Sequence, residues 1–154
     1  MKELNSKVEQ NHRLFQFLKG EWVFSRTISS FGSTKGVGIF SPLQENHFHY
    51  QEEGMTTLDN GRELKSTQEY IYEWTGEQIV IWFSKLGKKD RPFHYLNFDM
   101  DFDNKRWESQ DYHLCVADHY WGTYSFDQFG HFTIQYKVKG PKKDYVSTTL
   151  FQKK

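Results

Sequence analysis

From Glu21 onward this chain alternates, residue by residue, between large apolar and polar side chains, and that period of two leaves few folds open. Trp22, Phe24 and Ile28 alternate with Ser25 and Thr27, and Phe48 and Tyr50 with His47, His49 and Gln51. Tyr70, Tyr72 and Trp74 alternate with Glu69 and Glu73. Phe132, Ile134, Tyr136 and Val138 alternate with Thr133, Gln135 and Lys137. Successive strand side chains point to opposite faces, so this pattern describes sheets with one wet and one buried face. The apolar positions are filled by aromatics: five Trp, nine Tyr and fourteen Phe make 18% of the chain. Such side chains suit a pleated, half-buried surface.

Turn signals break the alternation at short intervals: Gly32 to Gly36, Asp59-Asn60-Gly61, Thr75-Gly76, Leu86 to Asp90, Asp103-Asn104, Phe129-Gly130 and Gly140-Pro141. Asn-Gly between alternating segments is a strong hairpin signal. Nine to ten strands are expected, at about 21–31, 35–43, 46–56, 62–74, 78–85, 92–100, 105–115, 119–128, 131–139 and 144–153. Short links with no helix between strands imply an antiparallel meander. Closing it into a barrel removes the exposed edges a meander otherwise leaves. A flat sandwich is the other possibility. Ahead of the strands, Leu14, Phe15 and Leu18 have helical spacing, so a short helix is expected over 8–19, stopped at Gly20. The expected fold is therefore all-β with one short N-terminal helix, an antiparallel up-and-down barrel. A helix followed by Gly20-Glu21-Trp22 resembles the opening of lipocalin-like (calycin) barrels, in which the tryptophan plugs the closed end. No linker or repeat divides the chain, so a single domain over 1–154 is expected.

The 154 residues carry twenty basic and twenty acidic side chains and no net charge. That balance argues against a nucleic-acid partner. No apolar run is long enough to cross a membrane as a helix, and no targeting signal is visible. A cytoplasmic protein, monomer or homodimer, is the default expectation. The single cysteine, Cys115, excludes an intramolecular disulfide.

Polar residues at inward positions are the candidate site. Arg26 shares parity with Trp22, Phe24 and Ile28, and Glu52 with Phe48 and Tyr50. Both then face the interior, where an unpaired charge is very costly. The plainer reading is an internal Arg26–Glu52 ion pair; the sharper one has Arg26 holding an anionic ligand group. Among seven histidines, His47 and His49 fall on the outward face, and His12 and His131 look like surface residues. His94, His113 and His119 remain. No spacing gives the converging ligands of a zinc site, so neither metal nor cofactor is expected. His113, Cys115 and Asp118 could suggest a nucleophile. However, His113 and Cys115 lie two apart on one strand with parallel side chains, and a free Cys is usually a small buried hydrophobe. The lysines around Gly140-Pro141 read as a solvated turn, or as a basic rim.

Several blocks together resemble the DUF6314 family. They are Phe17-Leu18-Lys19-Gly20-Glu21-Trp22 with Arg26, Tyr50-Gln51-Glu52-Glu53-Gly54, Tyr70 with Trp74, and Arg91-Pro92-Phe93-His94. His113-Leu114-Cys115 with Asp118 and Tyr120, and Val138-Lys139-Gly140-Pro141 with Lys143-Asp144-Tyr145, complete the set. The resemblance implies a lipocalin-like barrel of about this length. It supplies no activity, the family being one of unknown function, but it implies that Arg26, Glu52, His94, His113, Cys115, Asp118, Lys143 and Asp144 form one shared polar site or buried network.

The leading expectation is a barrel that binds a small amphipathic or aromatic molecule with a polar or anionic group. Phe24, Tyr50, Tyr70, Tyr72, Trp82, Tyr124 and Tyr136 would line its interior, with Arg26 and His94 as head-group contacts. Arg26, Tyr50, Glu52, Tyr70, Trp82, His94, His113 and Tyr124 are the expected ligand-binding residues. An enzyme of hydratase, cyclase or isomerase type in the same cavity is the alternative. There His113 or His94 would act as general acid or base, with Asp118 orienting it. A third is a protein-interaction module using Trp107 and Trp121, if these face outward.

Overall fold

The computed structural model describes residues 2–154, with side chains from Ser6 onward. A helix, α1 (Lys2–Phe17), precedes eleven strands: β1 (Gly20–Ile28), β2 (Gly32–Gln44), β3 (His47–Leu58), β4 (Glu63–Trp74), β5 (Ile79–Lys85), β6 (Lys88–Leu96), β7 (Asp99–Asp101), β8 (Arg106–Cys115), β9 (Asp118–Asp127), β10 (Phe132–Lys139) and β11 (Asp144–Lys153). The helix starts earlier than its apolar spacing implies, because its first turns are polar and carry no periodicity. The extra strand comes from the expected segment 92–100, which breaks after Leu96 and resumes as the three-residue β7. Three residues are too few to display alternation.

Every strand pairs antiparallel with its neighbours, in the order β6-β5-β4-β3-β2-β1-β11-β10-β9-β8-β7. The first and last strands meet, with Phe24 opposite Phe151 and Arg26 opposite Thr149. The sheet curls into a barrel whose remaining seam lies between β6 and β8. Side chains close that seam where a backbone ladder is absent. The Tyr95 N–H donates to Asp111 Oδ2 at 2.6 Å, and the Asn97 N–H to Ser109 Oγ at 2.8 Å. Edge N–H groups left unpaired are a template for aggregation, and here β8 side chains occupy them.

α1 caps one end. Asn11, fully buried, donates to the Phe98 carbonyl at 3.1 Å and accepts from the Phe98 N–H at 2.7 Å. Phe15 stacks on Phe48 at 4.6 Å. Trp22 has no exposed surface; its indole N–H donates to the Leu18 carbonyl at 2.8 Å, and Phe17, Phe132 and Phe151 meet it edge-on. Aromatic pairs of this kind add about 0.5–1.5 kcal/mol each beyond the burial of their surface. Aromatic packing fills the half of the barrel next to α1. Gly38 on β2 makes room for it, since a Cβ there would lie 2.6 Å from the Tyr50 hydroxyl.

Candidate ligand cavity

The opposite half is not filled. A cavity of about 650 Å³ lies there, at the end bearing the β1–β2, β3–β4 and β10–β11 turns. Tyr70, Phe83, Phe93, Tyr120 and Tyr136 form an aromatic wall. Ser66, Thr34, Thr56 and Ser147 present hydroxyls, and Lys142, Lys143 and Asp144 stand at the rim. Thr34 and Thr56 share a hydrogen bond at 2.7 Å, and Thr56 and Ser66 another at 3.0 Å. These hydroxyls sit at inward positions of their strands. Alternation counted on polar as well as apolar residues would have found them.

Arg26 lines this cavity and is paired. Its Nη1 and Nη2 donate to the two oxygens of Glu52 at 2.8 and 2.9 Å, and its Nε to Thr149 Oγ1 at 2.7 Å. Glu52 also accepts from the Tyr50 hydroxyl at 2.7 Å. Bidentate charge-assisted bonds fix orientation as well as energy. Burial opposes the Arg26 charge, and the Glu52 carboxylate overrides that, holding the guanidinium above its ordinary value. Burial, then the Glu52 charge, pushes the Tyr50 phenol well up. Tyr50 and Glu52 are part of the packed layer beneath the cavity rather than of its wall.

His94 owes its position to a β-bulge. Ile81 on β5 is paired with His94 and Trp82 with Pro92, so Phe93 is the extra residue. A bulge re-aims side chains, and Pro92 loses no ladder bond by sitting at one. Phe93 and His94, although adjacent, therefore both lie inside, with ring centroids 3.9 Å apart. His94 has no exposed surface and does not line the cavity. Its Nδ1 is 2.7 Å from the Tyr124 hydroxyl and its Nε2 3.4 Å from the Tyr120 carbonyl oxygen. Tyr124, also fully buried, is 3.0 Å from the hydroxyl of Tyr136, which does line the cavity. Burial pushes His94 down to about 4 and Tyr136 up to about 12. Gly122 lets the ring in, since a Cβ there would lie 2.7 Å from His94 Cε1.

The remaining expected residues scatter. His113 packs edge-on against Phe83 and Phe93, outside the cavity lining, with Nε2 enclosed and lacking a hydrogen-bond partner. Burial, then the Arg91 charge, lowers it. Asp118 is 3.1 Å from Lys143, which also donates to the Tyr120 hydroxyl at 3.1 Å; Asp118 orients no histidine. The Tyr120 hydroxyl and then Asp118 raise Lys143. Cys115 lies 3.3 Å from an Arg91 nitrogen. Trp82 points out of the barrel, against its expected place in the interior. Its indole N–H donates to Glu73 at 2.9 Å and Lys89 lies over its ring. Ile79, Ile81 and Phe83 take the inward positions, and in an all-apolar run no polar residue marks the parity. His47 and His49 do face outward, but His47 is buried, beside Lys89 at 3.1 Å and Glu73 at 3.6 Å. Trp107 packs against the core, while Trp121 is exposed and stacks on His119. Among the described residues no three His, Cys, Asp or Glu side chains are placed to hold a metal, and no helix is long and apolar enough to cross a membrane.

The family of unknown function DUF6314 matches residues 18–153. The chain belongs to this family. The DUF6314 match spans all eleven strands and leaves out α1. A comparison with curated proteins found no match. Among solved structures, an S-type phycobiliprotein lyase from Guillardia theta is similar with a TM-score of 0.54 at 9% identity, covering 91% of this chain and 89% of that one. The barrel EF1p2_mFAP2b bound to DFHBI is similar with a TM-score of 0.49 at 16% identity, over 94% and 99% of the two chains. A de novo designed fluorescence-activating β-barrel gives 0.47 at 14%, over 90% and 95%. The likeness to the lyase is one of fold alone.

Proposed function

We propose that the chain binds a small, flat, largely aromatic molecule inside its barrel. The cavity carries this reading. Its volume falls within the range of small-molecule sites, roughly 300–1,000 Å³, and a wall of five aromatic rings faces a bank of hydroxyls. Hydroxyls and a few oriented polar groups on an apolar wall give specificity without a large desolvation cost. The catalytic alternative has less support. His94 is sealed beneath the wall, and His113 and Asp118 are absent from the lining, so none of the three stands within reach of a substrate proton.

Titration with the neutral fluorophore N-phenyl-1-naphthylamine tests the reading. Saturable, one-to-one fluorescence enhancement in the micromolar range is expected. Gln68 lines the cavity without a side-chain hydrogen bond of its own, so Gln68→Trp fills space there without breaking one. That variant is expected to lose the enhancement and keep its melting temperature. No saturable enhancement in the parent protein, or undiminished enhancement in Gln68→Trp, refutes it.

A further inference from the structure

The hydrogen-bond geometry points to a neutral ligand that offers the cavity both a donor and an acceptor, such as an aromatic carboxamide or lactam, in preference to a carboxylate. This rests on the cavity being a ligand site and names the class of ligand it takes.

The inference starts from a backbone carbonyl. The Tyr120 oxygen can only accept, so the His94 nitrogen facing it, Nε2, carries the ring proton. His94 is neutral near pH 7, because burial depresses it. Its Nδ1 is then bare and accepts the Tyr124 hydroxyl proton at 2.7 Å. Tyr124 has no second proton to give. At 3.0 Å the bond to Tyr136 therefore runs from the Tyr136 hydroxyl to the Tyr124 oxygen. Tyr136 ends the chain in the cavity wall with its proton already committed. Its oxygen offers the cavity a lone pair and no donor. The reverse polarity would aim the Nε2 lone pair at a carbonyl oxygen.

Arg26 supplies the complementary half. A guanidinium has five N–H groups and no acceptor. Three are spent on Thr149 and Glu52, and those that remain can only donate. Glu52 cancels the Arg26 charge at close range. The polar end of the cavity is thus a donor and an acceptor with no net charge. A carboxylate would satisfy Arg26 but set its own lone pairs against Tyr136 and its charge near Glu52. A primary carboxamide or a lactam satisfies both. The charges of Arg26, Lys142 and Lys143 taken alone favour the opposite ligand, so the two views separate cleanly.

Displacement of bound N-phenyl-1-naphthylamine by 2-naphthamide and by its near-isostere 2-naphthoate decides between them. The parent protein is expected to bind the amide at least tenfold more tightly. Tyr136→Phe removes the lone pair and is expected to weaken the amide about tenfold while the carboxylate, freed of the opposed lone pair, binds no less tightly. Tyr124→Phe frees the Tyr136 hydroxyl to donate. It is expected to tighten the carboxylate and shrink the ratio, although Tyr136 itself is unchanged. Equal or tighter binding of naphthoate by the parent protein overturns the inference, as does an unchanged ratio in a folded Tyr124→Phe. If Tyr124→Phe does not fold, the parent protein and Tyr136→Phe still decide. Should the fluorophore bind and neither naphthalene displace it, the ligand class falls and the cavity reading stands. Should the fluorophore itself not bind, both fall.

Discussion

His94 makes the stability of this barrel depend on pH in a way that one substitution isolates. The ring is fully buried between Phe93 and Tyr124 and is pushed from 6.5 down to about 4 by burial. A histidine whose folded value lies below its unfolded one binds more protons when unfolded. Its contribution is therefore fully present above about pH 6.5 and is lost as the pH falls towards 4. With those two values, acidification from pH 7 to pH 5 removes about 2 kcal/mol, and continuing to pH 4 removes about 1 kcal/mol more. For a chain of this length, 2 kcal/mol corresponds to roughly 4–8 °C in melting temperature. Urea unfolding followed by tryptophan fluorescence at pH 7 and pH 5, on the parent protein and on His94→Gln, measures it. The variant is expected to be less stable at pH 7 and to lose about 2 kcal/mol less between the two pH values. His113 is also held low, but it is present in both proteins and cancels in the comparison. An equal loss in both proteins would refute the assignment of a buried, neutral His94, and with it the polarity of the hydrogen bonds that run to Tyr136.

Glu52→Gln leaves the Arg26 charge buried and half-satisfied. It is expected to cost about 3–5 kcal/mol by urea unfolding, whereas replacing Arg26 and Glu52 together with Met and Leu is expected to cost much less. Gly122→Ala puts a methyl group 2.7 Å from the His94 ring and 2.9 Å from the Tyr124 ring. A shift in melting temperature equivalent to about 1–3 kcal/mol is expected, together with weakened binding of 2-naphthamide as the chain to Tyr136 is displaced.

How much of this was legible in the sequence depended on the range of each interaction. The barrel was, because alternation on β1, β3, β4 and β10 is local and strong. The Arg26–Glu52 pair was, because parity counts on β1 and β3, the strands flanking β2, place both side chains inside, and a buried charge must find a partner. Trp82 was not, because Ile79 to Phe83 is apolar throughout and parity has no polar mark to start from. His94 was expected at the ligand, and it lies beneath the cavity wall. Parity allows Phe93 or His94 an inward side chain, and only the bulge opposite Ile81 and Trp82 grants it to both. That same bulge turns the site from a charged pocket into a polar, neutral one. It sinks His94 out of ligand reach, hands the proton order to the Tyr120 carbonyl on β9, and so leaves Tyr136, two strands from Arg26 across β11, as the acceptor. The residue that would discriminate between ligands is thus one that alternation with Gln135 and Lys137 places in the interior, but whose hydrogen-bond polarity no local pattern shows. Its role is set through two side chains, Tyr124 and His94, and the Tyr120 backbone carbonyl, none of them near it in the chain, which is why the residues alone left the ligand group as polar or anionic.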